Sequence, residues 1–146
     1  MTIHVVLEKY KNLFENLTPQ SVEVDFPQIF DSNIYFKDPF NAVRGLSAVQ
    51  AVFQQMFNTL HEPYFHVLHV AGADNSGYLE WVLYFKLKSN TVAETQQIKG
   101  VSRILINDKQ QVCSHIDYWD SGEFVYSKIP VLSSVIRFIN KKIAVS

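Results

Sequence analysis

The spacing of apolar residues predicts helices at both ends of the chain and near its middle. Apolar side chains recur every three or four residues, as expected for one buried helix face, over residues 3–17, 46–60 and 130–143. Thr18-Pro19 ends the first pattern as the cap and first-turn proline of the next segment. In that segment, up to residue 32, Pro27 limits any helix to one or two short turns.

A spacing of two predicts strands elsewhere. Asn33–Lys37 is aromatic and typical of a strand, and from Pro63 onward two strands flank a turn at Gly72–Gly77. Two further strands, about Glu94–Ile106 and Gln111–Trp119, are separated by a polar turn. Helices followed by a long antiparallel meander predict a single α+β domain over residues 1–146, with a closing helix.

The composition favours a soluble globular protein. Hydrophobic residues make up 47% of the chain and charged residues 18%, and no apolar stretch is long enough to span a bilayer. The formal net charge of −1 gives no reason to expect nucleic acid as a partner. A single cysteine, Cys113, excludes an intramolecular disulfide, and the charged N-terminal pattern is unlike a signal peptide. We therefore expect a cytoplasmic protein.

The charge is uneven along the chain. No acidic residue follows Glu123, whereas this region contains Lys128, Arg137, Lys141 and Lys142. Residues 123–146 thus form a basic, amphipathic C-terminal extension, which is typical of a membrane-surface helix or a lid over a pocket. The alternative is a helix that covers a sheet edge or joins a dimer interface.

Two motifs carry a resemblance to a known family. Tyr35-Phe36-Lys37-Asp38-Pro39-Phe40 precedes Arg44-Gly45 and a helix, and Ser114-His115-Ile116-Asp117-Tyr118-Trp119-Asp120 lies on the last predicted strand. With the order of elements, they resemble the nuclear transport factor two-like superfamily, and more narrowly its SnoaL-like and ketosteroid-isomerase-like branch. The resemblance implies a cone-shaped barrel, in which a strongly curved mixed or antiparallel sheet wraps around the N-terminal helices. Such a cone encloses a mostly apolar pocket that suits lipophilic ligands.

The resemblance also implies roles for individual residues. Asp38 matches the aspartate that acts as general base in ketosteroid isomerases; alternatively, it caps the turn before Pro39. Tyr10 corresponds to the tyrosine that stabilises the substrate oxyanion in those enzymes, or it is a core tyrosine. Ser102 stands where they have a protonated aspartate, and a serine hydroxyl is a weaker acid than a carboxyl group.

The second motif offers another candidate pair. His115 and Asp117 are two residues apart on a predicted strand, so they project to one face together with Cys113 and Trp119. Asp117 matches the acid/base of SnoaL-like cyclases, and His115 would orient it; alternatively, the two form a structural hydrogen bond. If Asp117 and Asp38 face one pocket, one carboxyl group can be held neutral while the other is ionised.

The sequence contains no clear signal for a cofactor. His66 and His69 project to opposite faces of a predicted strand, and no set of metal ligands, nucleophile elbow or glycine-rich phosphate loop is recognisable. We therefore expect neither a metal nor another cofactor.

These observations lead to one main hypothesis and two alternatives. The protein is expected to be an acid/base enzyme of the isomerase, cyclase or hydratase type that acts on a lipophilic carbonyl compound. Alternatively, it binds a hydrophobic ligand without catalysis, or it is a dimerisation scaffold. A homodimer is expected to form through the outer sheet face, with contributions from Val101, Leu105 and Tyr118. The aromatic residues expected to line the pocket are Phe36, Phe40, Phe53, Phe57, Trp81 and Trp119.

Overall fold

The computed structural model describes residues 2–87, 94–124 and 130–145, so Lys128 of the basic extension lies outside the described residues. The predicted helices and strands occur in the predicted order along the chain. The elements are α1 (Ile3–Glu15), α2 (Pro19–Val24), α3 (Phe26–Ile29), β1 (Phe30–Lys37), β2 (Ala42–Arg44), α4 (Leu46–Thr59), β3 (Leu60–Ala73), β4 (Ser76–Leu87), β5 (Gln96–Ile106), β6 (Val112–Trp119), α5 (Ser121–Phe124) and α6 (Pro130–Ile143).

The two short helices α2 and α3 confirm the helical turns predicted around Pro27. Thr18 and Ser21 form a reciprocal capping box at the start of α2, where the Ser21 backbone N–H donates to the Thr18 hydroxyl. Pro27 lies in the first turn of α3, where its missing N–H costs no intrahelical bond.

The strands form one curved, unclosed sheet in the order β2-β1-β6-β5-β4-β3. The predicted antiparallel meander is confirmed for β3 to β6. At its β6 edge the pairing differs, because β1 joins β6 in parallel, with Tyr35 opposite Ser114, and the unpredicted β2 pairs antiparallel with β1. The sheet is therefore mixed. A hydrogen bond of 2.8 Å from Asn107 to Asp31 ties the turn after β5 to the first residues of β1.

Helix α1 lies across the β3–β4 hairpin and buries its apolar face there. Gly77 is opposite Gly72 in this hairpin, and a Cβ atom at Gly77 would lie 2.7 Å from a methyl group of Leu7. The missing side chain therefore allows the helix to approach the strands closely. This packing, together with α4, places the hydrophobic core between the helices and the concave face of the sheet.

A β-bulge in β6 changes which of its residues point inward. The pairing with β5 shifts between Leu105–Ser114 and Ile106–Val112, so Cys113 has no partner of its own. Val112 and His115 are both buried, although three positions separate them. The regular alternation from which the sequence predicts that Cys113 shares the face of His115 and Asp117 is therefore interrupted at this residue. Burial raises the pKa of the Cys113 thiol, whose Sγ lies 3.4 Å from the carbonyl oxygen of Leu105.

In the described part of the chain, no helix has the length and apolar character needed to cross a membrane. The longest, α4 and α6, have 14 residues each, whereas a membrane-spanning helix needs about 20.

Candidate functional site

A cavity of about 600 Å³ opens between α4, the concave face of β4 to β6, and the loop after β1. Strand β4 lines it because Trp81, Leu83 and Phe85 alternate toward the helices. Most of its lining is apolar, which is typical of sites for small lipophilic molecules. The lining residues are Phe36, Asp38, Phe40, Asn41, Val52, Phe53, Gln55, Met56, Thr59, Leu60, Phe65, Trp81, Leu83, Phe85, Leu87, Gln96, Ile98, Asp117, Trp119 and Phe124.

The predicted aromatic lining is largely present in this cavity. Phe36, Phe40, Phe53, Trp81 and Trp119 all border it. Phe57 does not border it and packs against the hydrophobic core instead. The physical reason is helical geometry, because the cavity face of α4 carries Val52, Met56 and Thr59, and Phe57 lies beyond Phe53 on the far side of that stripe.

Asp117 is the carboxylate at the inner wall of the cavity, and its side chain is 15% exposed. Ser102 is directly opposite it on β5 and donates a hydrogen bond of 2.5 Å to Oδ1. The Nε2 atom of His115 lies 2.6 Å from the same oxygen. The hydrogen bonds from described residues thus converge on Oδ1, and none of them ends on Oδ2.

Behind Asp117, His115 is buried among aromatic rings. Its Nδ1 atom is hydrogen-bonded to the hydroxyl of Tyr10, a fully buried residue of α1. When His115 is neutral and carries its proton on Nε2, it donates to Asp117 and accepts from Tyr10. The rings of Phe14 and Phe36 lie with centroids 5.8 and 5.0 Å from the His115 ring. Both imidazole nitrogens are therefore satisfied, and the ring has little freedom to turn.

Burial raises the pKa of the Tyr10 hydroxyl well above its ordinary value, and the negative charge of Asp117 raises it further. Tyr10 is thus a neutral hydroxyl at physiological pH. It supplies a proton to its hydrogen bond with His115 and carries no charge of its own.

Ser102 is also held by Trp81 of the neighbouring strand β4. The indole N–H of Trp81 donates a hydrogen bond of 2.8 Å to the Ser102 hydroxyl oxygen. Gly100 is opposite Trp81 in the sheet, and a Cβ atom at this position would lie 2.5 Å from the Trp81 ring. Gly100 therefore makes room for the indole to lie against the backbone of β5.

Tyr10, Ser102 and His115 border a separate inner cavity of about 20 Å³, whereas Asp117 borders both this space and the large cavity. Sequence reasoning placed Tyr10 and Ser102 as groups that contact the substrate oxygen directly. In the structure they lie behind Asp117, and their hydroxyl groups are bonded to His115 and Asp117.

Asp38, the residue that follows β1, also borders the large cavity. Its Oδ1 accepts hydrogen bonds from the backbone N–H groups of Phe40 and Asn41, at 2.8 and 2.7 Å. The Asn41 side-chain amide donates to the same carboxylate at 3.1 Å. The turn-capping interpretation therefore describes its hydrogen bonds, and its role as a general base stays a prediction. Both Asp38 and Asp117 border the same cavity, as the paired-carboxylate hypothesis requires.

Among the described residues, no cluster of three or more His, Cys, Asp or Glu side chains is arranged to hold a metal ion. His66 lies 3.3 Å from Glu15, which also accepts a hydrogen bond from the Val67 backbone N–H. His61 lies 3.6 Å from Glu62, which lies at the same distance from Lys86.

Comparison with solved structures finds the same fold in proteins of very different sequence. A protein with a ketosteroid isomerase-like fold from Catenulispora acidiphila, solved with trimethylamine, has a TM-score of 0.68 at 9% identity and covers 82% of this chain and 88% of its own. An NTF2-like protein of unknown function from Exiguobacterium sp. 255-15 has a TM-score of 0.66 at 13% identity. The match covers 79% of this chain and 98% of the Exiguobacterium protein. An LEH-like epoxide hydrolase from M. tuberculosis has a TM-score of 0.64 at 10% identity. The match covers 90% of this chain and 92% of the hydrolase.

At these identities the structural likeness establishes the fold alone. No curated protein matches the chain in sequence. Residues 10–115, which contain the first motif and the first two residues of the second, match the SnoaL-like domain. The chain therefore belongs to the SnoaL-like family, with the cone fold that its sequence resembles.

Proposed function

We propose that the protein is an enzyme that moves a proton on a lipophilic carbonyl compound, with Asp117 as the group that takes up and returns the proton. One observation carries the proposal: a carboxylate borders a largely apolar cavity while one of its oxygens is held by two buried donors. General acid/base catalysis requires a titratable group held in a fixed position beside the reacting atoms.

The two oxygens of Asp117 have different tasks in this proposal. Oδ1 is fixed by Ser102 and His115, whereas Oδ2 accepts a proton from the carbon beside the substrate carbonyl. The electron pair of the broken C–H bond then moves into the carbonyl group and gives an enolate. The same proton returns to another carbon in an isomerisation. In a cyclisation the enolate carbon attacks a second carbonyl, and the alkoxide that forms takes the proton back from Asp117.

Trp119 is the candidate donor to the enolate oxygen. It follows Asp117 by two residues on β6, so both side chains project to the same face of the sheet, and both border the cavity. Its indole N–H is a donor that never loses its proton in the physiological range. Substitution Trp119→Phe keeps an aromatic wall and removes this donor, so it should lower turnover more than it weakens ligand binding.

His115, Tyr10 and Ser102 are positioning residues in this scheme. They border the inner cavity and act on the substrate through Asp117. Asp38 is the second carboxylate of the cavity, and its bonds to the turn at Asn41 hold it in place. It is the candidate for the complementary proton transfer when the reaction needs an acid as well as a base.

The experiment begins by identifying the ligand. Native mass spectrometry of freshly purified protein, followed by organic extraction, should yield a lipophilic compound in stoichiometric amount. Compounds of that class are then assayed with the native protein and with Asp117→Asn, Asp38→Asn and Asp108→Asn. Asp108 is exposed and distant from the cavity, so its variant controls for the loss of one carboxylate.

We expect Asp117→Asn to lower kcat by about 100-fold or more, the usual contribution of a general acid/base, while ligand binding is retained. Asp108→Asn should behave as the native protein does. The alternative is a binding protein without catalysis, which the largely apolar lining also suits. Stoichiometric binding without turnover of any compound of the extracted class would favour that alternative and overturn the proposal.

A further inference from the structure

Helix α6 carries an apolar face that the rest of the described chain does not cover. Val135, Phe138, Ile139 and Ile143 are 49%, 62%, 47% and 76% exposed. At 100° per residue these side chains fall on one side of the helix, and Ser134, Arg137, Asn140 and Lys141 lie toward the other. Over residues 134–143 the helix is therefore amphipathic, and its apolar side faces water.

The charge of this segment has one sign only. Arg137, Lys141 and Lys142 lie on α6, and no acidic residue follows Glu123 in the sequence. Lys141 and Lys142 form no ion pair with the described residues. At the same 100° per residue, Lys142 falls between Phe138 and Val135, within the apolar side, and its ammonium group lies 5.5 Å from the centre of the Phe138 ring. Its aliphatic stem adds to the apolar side, and its charge lies at the end of that stem.

We propose that α6 docks on an anionic lipid surface, with its apolar side chains inserted between the headgroups and its basic side chains against the lipid charges. An apolar face that contains one lysine, with Arg137 and Lys141 on the polar side and no acid, complements a surface that is apolar below and negative above. A second copy of α6 fits this face less well, because it brings the same positive charges.

The helix lies on the membrane and does not cross it. Its 14 residues extend about 21 Å, which is less than the roughly 30 Å of a bilayer's hydrocarbon core. Phe124, which borders the cavity, precedes Pro130 by six residues. Since six residues span at most about 22 Å, docking through α6 keeps the cavity near the lipid surface. The docking proposal itself rests on α6 alone and does not depend on the proposed function.

The test is cosedimentation of the full chain with vesicles of two compositions, one of phosphatidylcholine alone and one with 30 mol% phosphatidylserine at roughly physiological salt, where exposed charges are screened beyond about 8 Å. The native protein should sediment with the anionic vesicles and stay in solution with the neutral ones. Each basic residue near an anionic surface strengthens binding about fivefold. The double variant Lys141→Glu/Lys142→Glu should therefore bind at least 25-fold more weakly, by the same principle.

Matched variants separate the charge of α6 from the charge of the whole protein. Lys9→Glu/Lys37→Glu makes the same change of net charge at exposed positions of the domain, and it should bind as the native protein does. Ile139→Asp removes part of the apolar face and should abolish sedimentation. Unchanged circular dichroism spectra show that these variants are folded.

Three results would overturn the proposal. One is the absence of sedimentation of the native protein with anionic vesicles. Another is equal weakening by the α6 and the control charge variants. The third is a dimer in sedimentation velocity that Ile139→Asp dissociates while vesicle binding is absent, which would assign the apolar face to a second copy. None of these results bears on Asp117, so failure here leaves the proposed function standing.

Discussion

Asp117 is held by Ser102 and His115, neither of which borders the large cavity. Ser102 and His115 bond to one carboxylate oxygen, and Trp81 and Tyr10 bond in turn to these two residues. In a buried network each polar group depends on the next for its hydrogen bond, so removal of one member leaves another unsatisfied. Substitutions at Ser102 and Tyr10 should therefore affect turnover through the position of Asp117.

Substitution Ser102→Ala tests this network from the sheet side. It removes a donor to Asp117 and leaves the buried indole N–H of Trp81 without an acceptor. The free energy of unfolding should fall by about 1–3 kcal/mol, the usual cost of an unsatisfied buried group, as measured by urea denaturation. Ser102→Thr retains the hydroxyl and should recover turnover. Loss of turnover in both variants alike would argue against a positioning role.

The raised pKa of Tyr10 predicts that the protein becomes less stable at alkaline pH. Its pKa is higher in the folded protein than in the unfolded chain, because the phenolate is disfavoured by burial and by Asp117. The unfolded chain therefore loses this proton first, at a pH of about 10, and stability falls as pH rises beyond that point. Below a pH of about 10, Tyr10 is protonated in both states and its contribution to stability is fully present.

Urea denaturation of the native protein and of Tyr10→Phe at pH 8, 9, 10 and 11 measures this effect. The free energy of unfolding of the native protein should decline more steeply above pH 10. Parallel pH profiles would show that Tyr10 titrates in the folded protein as it does in the unfolded chain.

At the scale of elements, strand β5 determines the shape of the site. Its two smallest inward positions have different tasks, since Gly100 makes room for the Trp81 ring and Ser102 bonds to it and to Asp117. Side chains on adjacent strands meet in this way only when the register of the sheet is fixed. The substitution that disturbs this arrangement most simply is therefore Gly100→Ala.

The added methyl group of Gly100→Ala would overlap the Trp81 indole at 2.5 Å, so the ring must move away. We expect a loss of about 1–3 kcal/mol in stability, as for other overpacked sites, and a shift in tryptophan fluorescence. Turnover should fall with little change in KM. Gly122→Ala is the control, because its added methyl group would lie 3.1 Å from the Asp120 side chain and would not meet the Trp81 ring. A native spectrum for Gly100→Ala would contradict this account of Trp81.

The elements that the sequence predicts well are those with a strong local period. The spacing in α1 and α4 and the alternation in β4 place Tyr10, Phe53 and Trp81 on their inward faces before any contact is known. The β6 bulge at Cys113 and the parallel pairing of β1 with β6 have no such signal. They depend on pairing between distant parts of the chain, which a local pattern does not encode.

In the candidate site, too, local patterns identify some residues, whereas others depend on strand pairing. The motif on β6 identifies His115 and Asp117, and two-residue spacing correctly puts them on one face. The contact between Ser102 and Trp81 depends on the register of β4, β5 and β6, which the sequence does not give. The glycine at position 100, inside a predicted strand, is the one residue that could have indicated a close approach by a large side chain. Phe65, Leu83, Phe85 and Ile98 complete the cavity from positions that the sequence marks only as apolar.

At the scale of the whole molecule, the outer face of the sheet presents exposed aromatic residues to solvent. Tyr118 is 56% exposed and lies directly opposite Val101, which is half-buried, as is Leu105 on the same strand. Exposed apolar surface of this kind is typical of an interface between copies. Pairing of two copies through this face stays a prediction.

Substitution Tyr118→Lys would place a charge at the centre of that interface. We expect sedimentation velocity to show a dimer for the native protein and a monomer for this variant, since an unpaired charge in an interface is costly. Lys9→Glu, at an exposed position of α1, changes charge away from this sheet face and serves as the comparison. A monomeric native protein at high micromolar concentration would contradict the prediction.

Solvent deuterium exchange on a lipophilic ketone reports directly on whether Asp117 moves a proton. Native protein in D₂O should introduce deuterium at the carbon beside the carbonyl, detected by mass spectrometry of the recovered compound. Asp117→Asn should lower the rate by about 100-fold or more, whereas Asp108→Asn should leave it unchanged. A folded Asp117→Asn variant that exchanges deuterium at the native rate would show that Asp117 is not the group that moves the proton.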